Sequence, residues 1–116
     1  MPALDVIPVK IIPGEVSYEF LQGMADRMSV SFYKYGAVKD SNGLDPIKNL
    51  EERLRLYKET GNTEWLMDVG NFAMIEFMKP QHKDAHYRPT DSKESPGRWD
   101  TKGKWQGSKQ NLDVNV

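Results

Sequence analysis

Cysteine is absent from all 116 residues, which excludes disulfide bonds, a thiol nucleophile and cysteine metal ligands. The sequence also lacks an apolar run of about 18 residues, the length that a membrane-spanning helix needs. Its N-terminal segment has no basic region followed by an apolar stretch, so we expect no signal peptide and a cytoplasmic location. No glycine-rich phosphate loop and no nucleophile–histidine–acid set is recognisable, which disfavours the hydrolases and nucleotide-binding proteins built on those motifs.

Charge is nearly balanced, with a net charge of −1 from 16 basic and 17 acidic side chains. Residues 1–80 carry 9 basic and 12 acidic side chains, whereas residues 81–116 carry 7 and 5. This balance gives no overall field that would favour nucleic acid or a membrane surface. The length suits one small domain, and a hydrophobic content of 38% allows only a modest core.

The most apolar long segment lies in the middle of the chain, and its ends carry helix signals. Gly61 suits the left-handed turn that closes a preceding helix. Asn62 or Thr63 is suited to cap the next helix, and Pro80 ends it. Because residues 63–79 are apolar on most of the helix circumference, we predict a central helix that is buried on several sides.

Two more helices are expected before the central one. Residues 15–35 repeat apolar side chains at a spacing of four, which predicts an amphipathic helix. Residues 46–60 carry a second apolar stripe, preceded by Asp45 as N-cap and opened by Pro46. Gly70 costs helix stability by ~1 kcal/mol, so we predict that another helix approaches it closely.

We therefore predict an all-α fold, a compact three-helix bundle with extensions at both ends. The helical domain covers residues 15–80, between an extended arm at 1–14 and an irregular tail at 81–116. Pro8 and Pro13 exclude the arm from a central strand. The arm either lies across the helices or pairs as an edge strand with another chain.

Three polar residues interrupt the central helix on one side. Glu64, Asp68 and Asn71 fall within an arc of about 60° at ~100° per residue, and we call them the acidic ridge. In a structural interpretation, Glu64 in the first turn interacts favourably with the helix dipole. Asp68 pairs with Arg27 or Arg53, and Asn71 forms a hydrogen bond to a neighbouring helix. In a functional interpretation the ridge binds a ligand or takes part in catalysis.

Mg²⁺ is one ligand that the ridge can accept, because carboxylates one helical turn apart suit a hard divalent cation. Glu19 and Asp26 on the first helix are seven residues apart, so they share a face and are able to complete such a site.

Basic side chains follow Pro80. His82 and His86 have the spacing of a metal-binding helical pair, but no third ligand is evident. Together with Lys83 and Arg88 they suit a rim that binds phosphate or an acid.

The tail is polar, yet it contains Trp99 and Trp105. Tryptophan is costly to leave in water, so both are expected to dock on the protein's own helices, or on a partner or second subunit. A third alternative is stacking on bases, assisted by Lys102, Lys104 and Lys109.

The run YKETGNTEWLMDVGNFAMIEFMKP, followed by HYRPTDSKESPGR, resembles a family of small proteins encoded by bacteriophages and prophages. The likeness covers residues 57–98 and is weaker around GMADRMSVSFYKYG. It implies no activity. It implies a context: an early or accessory phage protein that acts on host machinery or host defence.

The helices also resemble, more weakly, those of MazG-like and dUTPase-like all-α nucleotide pyrophosphohydrolases. Those enzymes hold Mg²⁺ with Glu-Glu-x-x-Glu on one helix and Glu-x-x-Asp on another. Here Glu51 and Glu52 are followed by no third glutamate at the corresponding position. Glu64 and Asp68 are four residues apart, not three, although that spacing still suits one helical face.

The first functional expectation is a non-catalytic phage accessory protein that binds a partner or sequesters a small phosphorylated, nucleotide-like ligand. A Mg²⁺-dependent pyrophosphohydrolase using Glu64 and Asp68 is the alternative, and nucleic-acid binding is third. We expect a homo-oligomer and no cofactor unless the alternative holds. Expected ligand-binding residues are Glu64, Asp68, Asn71, His82, His86 and Arg88, and expected docking residues are Trp99 and Trp105.

Overall fold

The computed structural model describes residues 13–91, 93–94 and 96–107. It contains three α-helices: α1 at Tyr18–Tyr35, α2 at Pro46–Thr60 and α3 at Glu64–Met78. The predicted all-α class is therefore confirmed. The first 12 residues of the predicted arm lie outside the described residues. No helix in the described ranges combines the length and apolar character that membrane crossing requires.

Local signals set the ends of α2 and α3 as the sequence predicts. The side chain of Asp45 caps α2, because its Oδ1 accepts the backbone N–H of Lys48 at 3.0 Å. Gly61 ends α2 in the left-handed region with φ of 73°. Of the two predicted caps for α3, Asn62 is the one whose side chain accepts the backbone N–H of Glu64, at 3.0 Å.

The centre of the first unit is α3, which packs against both α1 and α2. In its contact with α1, each helix places a methionine against a glycine of the other. A Cβ added at Gly70 would lie 3.0 Å from the Sδ of Met24, and one added at Gly23 would collide with the thioether of Met67. Each methionine thus fills the space that the opposite glycine leaves. The close approach predicted at Gly70 is confirmed, and its counterpart at Gly23 was not predicted.

The hydrophobic core is small. Among the described residues, the buried ones are Ile75, Asn71 and the proline that opens α2. The prediction that α3 is buried on several sides holds only in part. Its first turns are half-buried, and Asn71 and Ile75 are its buried residues. It fails at the last turn, where Phe77 is 77% exposed and Met78 is 53% exposed. Within the first unit, α1 and α2 are the helices that pack on α3.

The chain divides into two compact units between Lys83 and Asp84. The second unit contains two short antiparallel strands, β1 at Arg98–Trp99 and β2 at Trp105–Gln106. They form a hairpin within a tail that the sequence predicts to be irregular. Strands of two residues are too short to show the alternation by which strands are recognised in a sequence.

The hairpin depends on a side chain in its turn. The carboxylate Oδ1 of Asp100 accepts the backbone N–H groups of Lys102 at 2.9 Å and Lys104 at 2.7 Å. The turn therefore brings Trp99 directly opposite Trp105.

Gly97→Ala is expected to abolish the hairpin. The residue has φ of 78°, and a Cβ there would collide with the backbone oxygen of Gln106. The measurement is the exciton-coupled circular dichroism of the indole pair, which requires the two rings to stay in contact. Gly107→Ala is the matched control, because its Cβ would meet nothing within 4 Å. A Gly97→Ala variant that keeps the full exciton signal would contradict this account.

Candidate functional site

The carboxylate of Asp68 joins the three helices. Arg27 of α1 donates to it in a bidentate manner, with Nε 2.5 Å from Oδ1 and Nη2 3.0 Å from Oδ2. Arg53 of α2 approaches from another side, with its Nε 3.4 Å from Oδ2. The Asp68 side chain is only 13% exposed, so water screens these charges weakly. We call Asp68, Arg27, Arg53 and Glu64 the ion network.

Glu64 completes the ion network at its solvent side. Its Oε1 lies 3.1 Å from Nη1 of Arg27, and its side chain is 56% exposed. The hydrogen bonds that Arg27 donates to Asp68 are the main cause that raises the pKa of Arg27 above its ordinary value, against the opposing effect of burial. Arg27 therefore keeps its charge at every physiological pH, and its Nε, Nη1 and Nη2 atoms all face carboxylates.

Asn71 links the ridge to α1 through its amide. Its Nδ2 donates to the backbone oxygen of Met24 at 3.0 Å, and the residue is 5% exposed. Because the Met24 carbonyl is an acceptor, the amide orientation is fixed. Its Oδ1 then has no hydrogen-bond partner among the described residues. The structural interpretation of the ridge thus agrees with the geometry at Asp68 and at Asn71.

A cleft of about 410 Å³ opens beside the ion network, within the first unit. Its volume falls in the range of roughly 300–1,000 Å³ that is usual for small-molecule sites. Side chains from all three helices line it. The lining combines three cations and two carboxylates with aromatic rings, namely Arg27, Lys34, Arg53, Asp26, Asp68, Tyr35, Trp65 and Phe72.

Two of these cations lie next to aromatic rings. The guanidinium carbon of Arg53 lies 5.3 Å from the Phe72 ring and 6.0 Å from the Trp65 ring. Its Nε is buried and makes no hydrogen bond within the described ranges. Lys34 Nζ lies 5.2 Å from the centre of the Tyr35 ring. The cleft therefore offers cationic donors next to flat apolar surfaces, which suits an anion that carries a planar group.

The acidic residues of the sequence analysis are divided between the cleft and its surroundings. Asp68 and Asn71 line the cleft, and Asp26 does so from α1, where it accepts a hydrogen bond from Gln22 at 2.8 Å. Glu64 reaches the site only through Arg27. The sequence analysis did not select the cations and rings of the cleft as a site. They lie on separate helices, and no spacing along the chain reveals that they meet.

The basic rim predicted after Pro80 is divided between the two units. His82 belongs to the first unit but does not line the cleft. In the second unit, His86 Nδ1 lies 2.8 Å from the backbone oxygen of Asp84. Arg88 forms a bidentate pair with Glu94, at 3.1 Å and 2.6 Å. A ligand-binding role for His82, His86 and Arg88 stays a prediction.

The Mg²⁺ alternative also stays a prediction. Within the described ranges, no three histidine or acidic side chains are grouped to hold a metal ion. For Asp68 to bind Mg²⁺, its carboxylate would have to exchange the guanidinium groups of Arg27 and Arg53 for the ion. The chain matches no protein-family model, no curated protein and no solved structure.

Asp68→Ala is expected to lower the free energy of unfolding by about 2–3 kcal/mol, because it leaves two half-buried guanidinium groups without their shared carboxylate. Glu64→Ala is the matched control and is expected to cost less than about 1 kcal/mol, since that pair is largely exposed. Urea unfolding followed by far-ultraviolet circular dichroism measures both. Equal losses for the two variants would show that the ion network does not depend on Asp68.

Glu94 is expected to titrate below the ordinary glutamate value. Its pKa is lowered first by the hydrogen bonds from Arg88 and then by the backbone N–H of Asp91. The pair therefore stabilises the second unit above the ordinary glutamate pKa, and this contribution is lost as pH falls through the lowered value. NMR titration of the Glu94 carboxyl carbon measures it. Arg88→Gln should move the midpoint back up, and an unchanged midpoint would rule out the pairing in solution.

Proposed function

We propose that the cleft of the first unit sequesters a small phosphorylated, nucleotide-like ligand without transforming it. The observation that carries the proposal is that the cationic side chains of Lys34 and Arg53 line a cleft of suitable volume next to aromatic rings. The phage resemblance supplies a setting for the proposal. In that setting the protein is an accessory protein that withholds a nucleotide signal from host defence.

In the proposed complex, the phosphate accepts hydrogen bonds from Lys34 and Arg53. Charge-assisted bonds of this kind are shorter and stronger than neutral ones. The planar part of the ligand contacts the rings of Trp65 and Phe72, which already flank the Arg53 guanidinium. A ligand with both a phosphate and a ring system thus meets complementary chemistry at each part.

The ion network prepares this site. Asp68 lies against the Nε of Arg53, and in the proposed complex the two Nη groups donate to the ligand. Arg27 binds Asp68 more closely and also pairs with Glu64, so its charge is already balanced. With three cations and two carboxylates, Asp26 and Asp68, the cleft lining has a net charge of +1, and Lys34 and Arg53 are the cations that meet the incoming anion. Such pre-arranged charges favour capture of an anion.

Lys34→Ala is expected to weaken ligand binding by roughly ten-fold or more, because one charge-assisted hydrogen bond is lost. Isothermal titration calorimetry with a panel of mononucleotides and dinucleotides, with and without Mg²⁺, measures this. Lys58→Ala is the matched control, since it removes the same charge from α2 outside the cleft lining. No binding by any member of the panel would defeat the proposal.

The same panel separates capture from the alternative function. Ligand recovered intact after denaturation of the protein is the outcome that capture requires. Pyrophosphate release that needs Mg²⁺ and disappears in Asp68→Asn would instead establish the pyrophosphohydrolase. The predicted homo-oligomer stays a prediction; the exposed side chains of Phe77 and Met78 are a surface on which a second copy would bury apolar area.

A further inference from the structure

The hairpin of the second unit, residues 96–107, holds two tryptophans in contact and in solvent. The ring centres of Trp99 and Trp105 are 5.1 Å apart with planes at 66°, an edge-to-face arrangement. Trp99 is 67% exposed and Trp105 is 46% exposed. Large exposed aromatic surfaces on a protein commonly mark interaction sites, because leaving them in water is costly.

Backbone and polar contacts of the hairpin, and not a hydrophobic core, hold these rings in position. The Asp100 carboxylate closes the turn by accepting two backbone N–H groups. Across the strands, Arg98 Nε donates to the Gln106 side chain at 3.0 Å. At Gly97 the backbone meets β2 so closely that no Cβ fits between them. Backbone and polar contacts therefore fix the indoles, and much of both ring surfaces stays available to a ligand.

The charge of the hairpin indicates what kind of ligand fits. Residues 96–107 contain three cationic side chains and one carboxylate, a net charge of +2. The carboxylate is that of Asp100, which is engaged by the turn. Lys102 and Lys104 are exposed in the same hairpin, and neither forms an ion pair within the described ranges. Flat apolar faces next to exposed cations match a chain that alternates planar groups with negative charges.

We propose that this hairpin binds single-stranded nucleic acid, with bases stacked on Trp99 and Trp105 and phosphates bound by Lys102 and Lys104. A single strand exposes the faces of its bases, whereas a duplex hides them inside its own stack. Stacking tolerates any base, so the hairpin binds with little sequence preference. This activity goes beyond ligand capture in the cleft and uses none of the cleft residues.

The test is fluorescence anisotropy of a labelled oligothymidylate titrated with the full chain at several salt concentrations. Two phosphate contacts on a single strand predict a slope of about −1.4 for the logarithm of the association constant against the logarithm of salt concentration. Trp99→Ala and Trp105→Ala are each expected to weaken binding roughly ten-fold. Tyr87→Ala is the matched control, because Tyr87 is an aromatic residue of the same unit that is 81% exposed but lies outside the hairpin.

A second variant guards against a misfolded hairpin. Lys102→Gln with Lys104→Gln keeps both indoles and the backbone bonds of the turn, so its exciton-coupled circular dichroism should match that of the parent protein. The same variant should bind the oligonucleotide more weakly and with a shallower salt slope. An intact exciton signal with undiminished binding would overturn the role of the lysines.

Other outcomes overturn the proposal as a whole. These are no binding to the oligonucleotide, equal affinity for a duplex of the same length, or binding that survives both tryptophan substitutions. Binding to anionic phospholipid vesicles but not to the oligonucleotide would identify a membrane surface as the ligand instead. Lys34→Ala should leave oligonucleotide binding unchanged, because Lys34 lines the cleft and not the hairpin. The proposal for the cleft and the proposal for the hairpin are therefore tested independently.

Discussion

The ionic contact at Asp68 is the point where charged side chains from α1, α2 and α3 meet. Arg27 and Arg53 reach the same carboxylate from helices that each pack on α3. The first unit has little buried apolar area, since Ile75 is the only fully buried hydrophobic side chain within the described ranges apart from the proline of α2. A partly buried ion pair adds little net stability, but loss of one partner is costly because it leaves the other charge unpaired. We infer that the angles between the helices depend on it more than they would in a larger core.

That dependence connects the fold to the cleft. The helix directions that bring two guanidinium groups to Asp68 also bring Trp65 and Phe72 beside Arg53. If the carboxylate were lost, Arg53 would lose its support and the cleft would lose its arranged donor. Structural stability and the proposed ligand binding therefore share one residue. Lys34 lines the cleft but lies outside the ion network, so its contribution to binding is separate from that of Asp68 to stability.

The sequence was informative wherever a signal is local. Asp45, Gly61 and Asn62 mark helix ends by their own chemistry, so the helices were predictable with their approximate bounds. The pairing of Asp68 was among the predicted alternatives, because opposite charges on neighbouring helices attract. The cleft was not predictable, since it depends on how α1 crosses α3, which the Gly23–Met67 and Gly70–Met24 contacts decide. The hairpin was missed for another reason: a turn residue, Asp100, organises it, and two-residue strands leave no periodic pattern.

The interlock between α1 and α3 has a consequence for oxidative conditions. In a chain without cysteine, thioethers are the sulfur atoms available to peroxide. Met24 and Met67 each fill the space above a glycine of the opposite helix. Conversion to the sulfoxide would place a larger, polar group in a space that accepts only an apolar sulfur, and would push the two helices apart. Because reductases convert the sulfoxide back to methionine, α1 and α3 would pack closely again once reducing conditions returned.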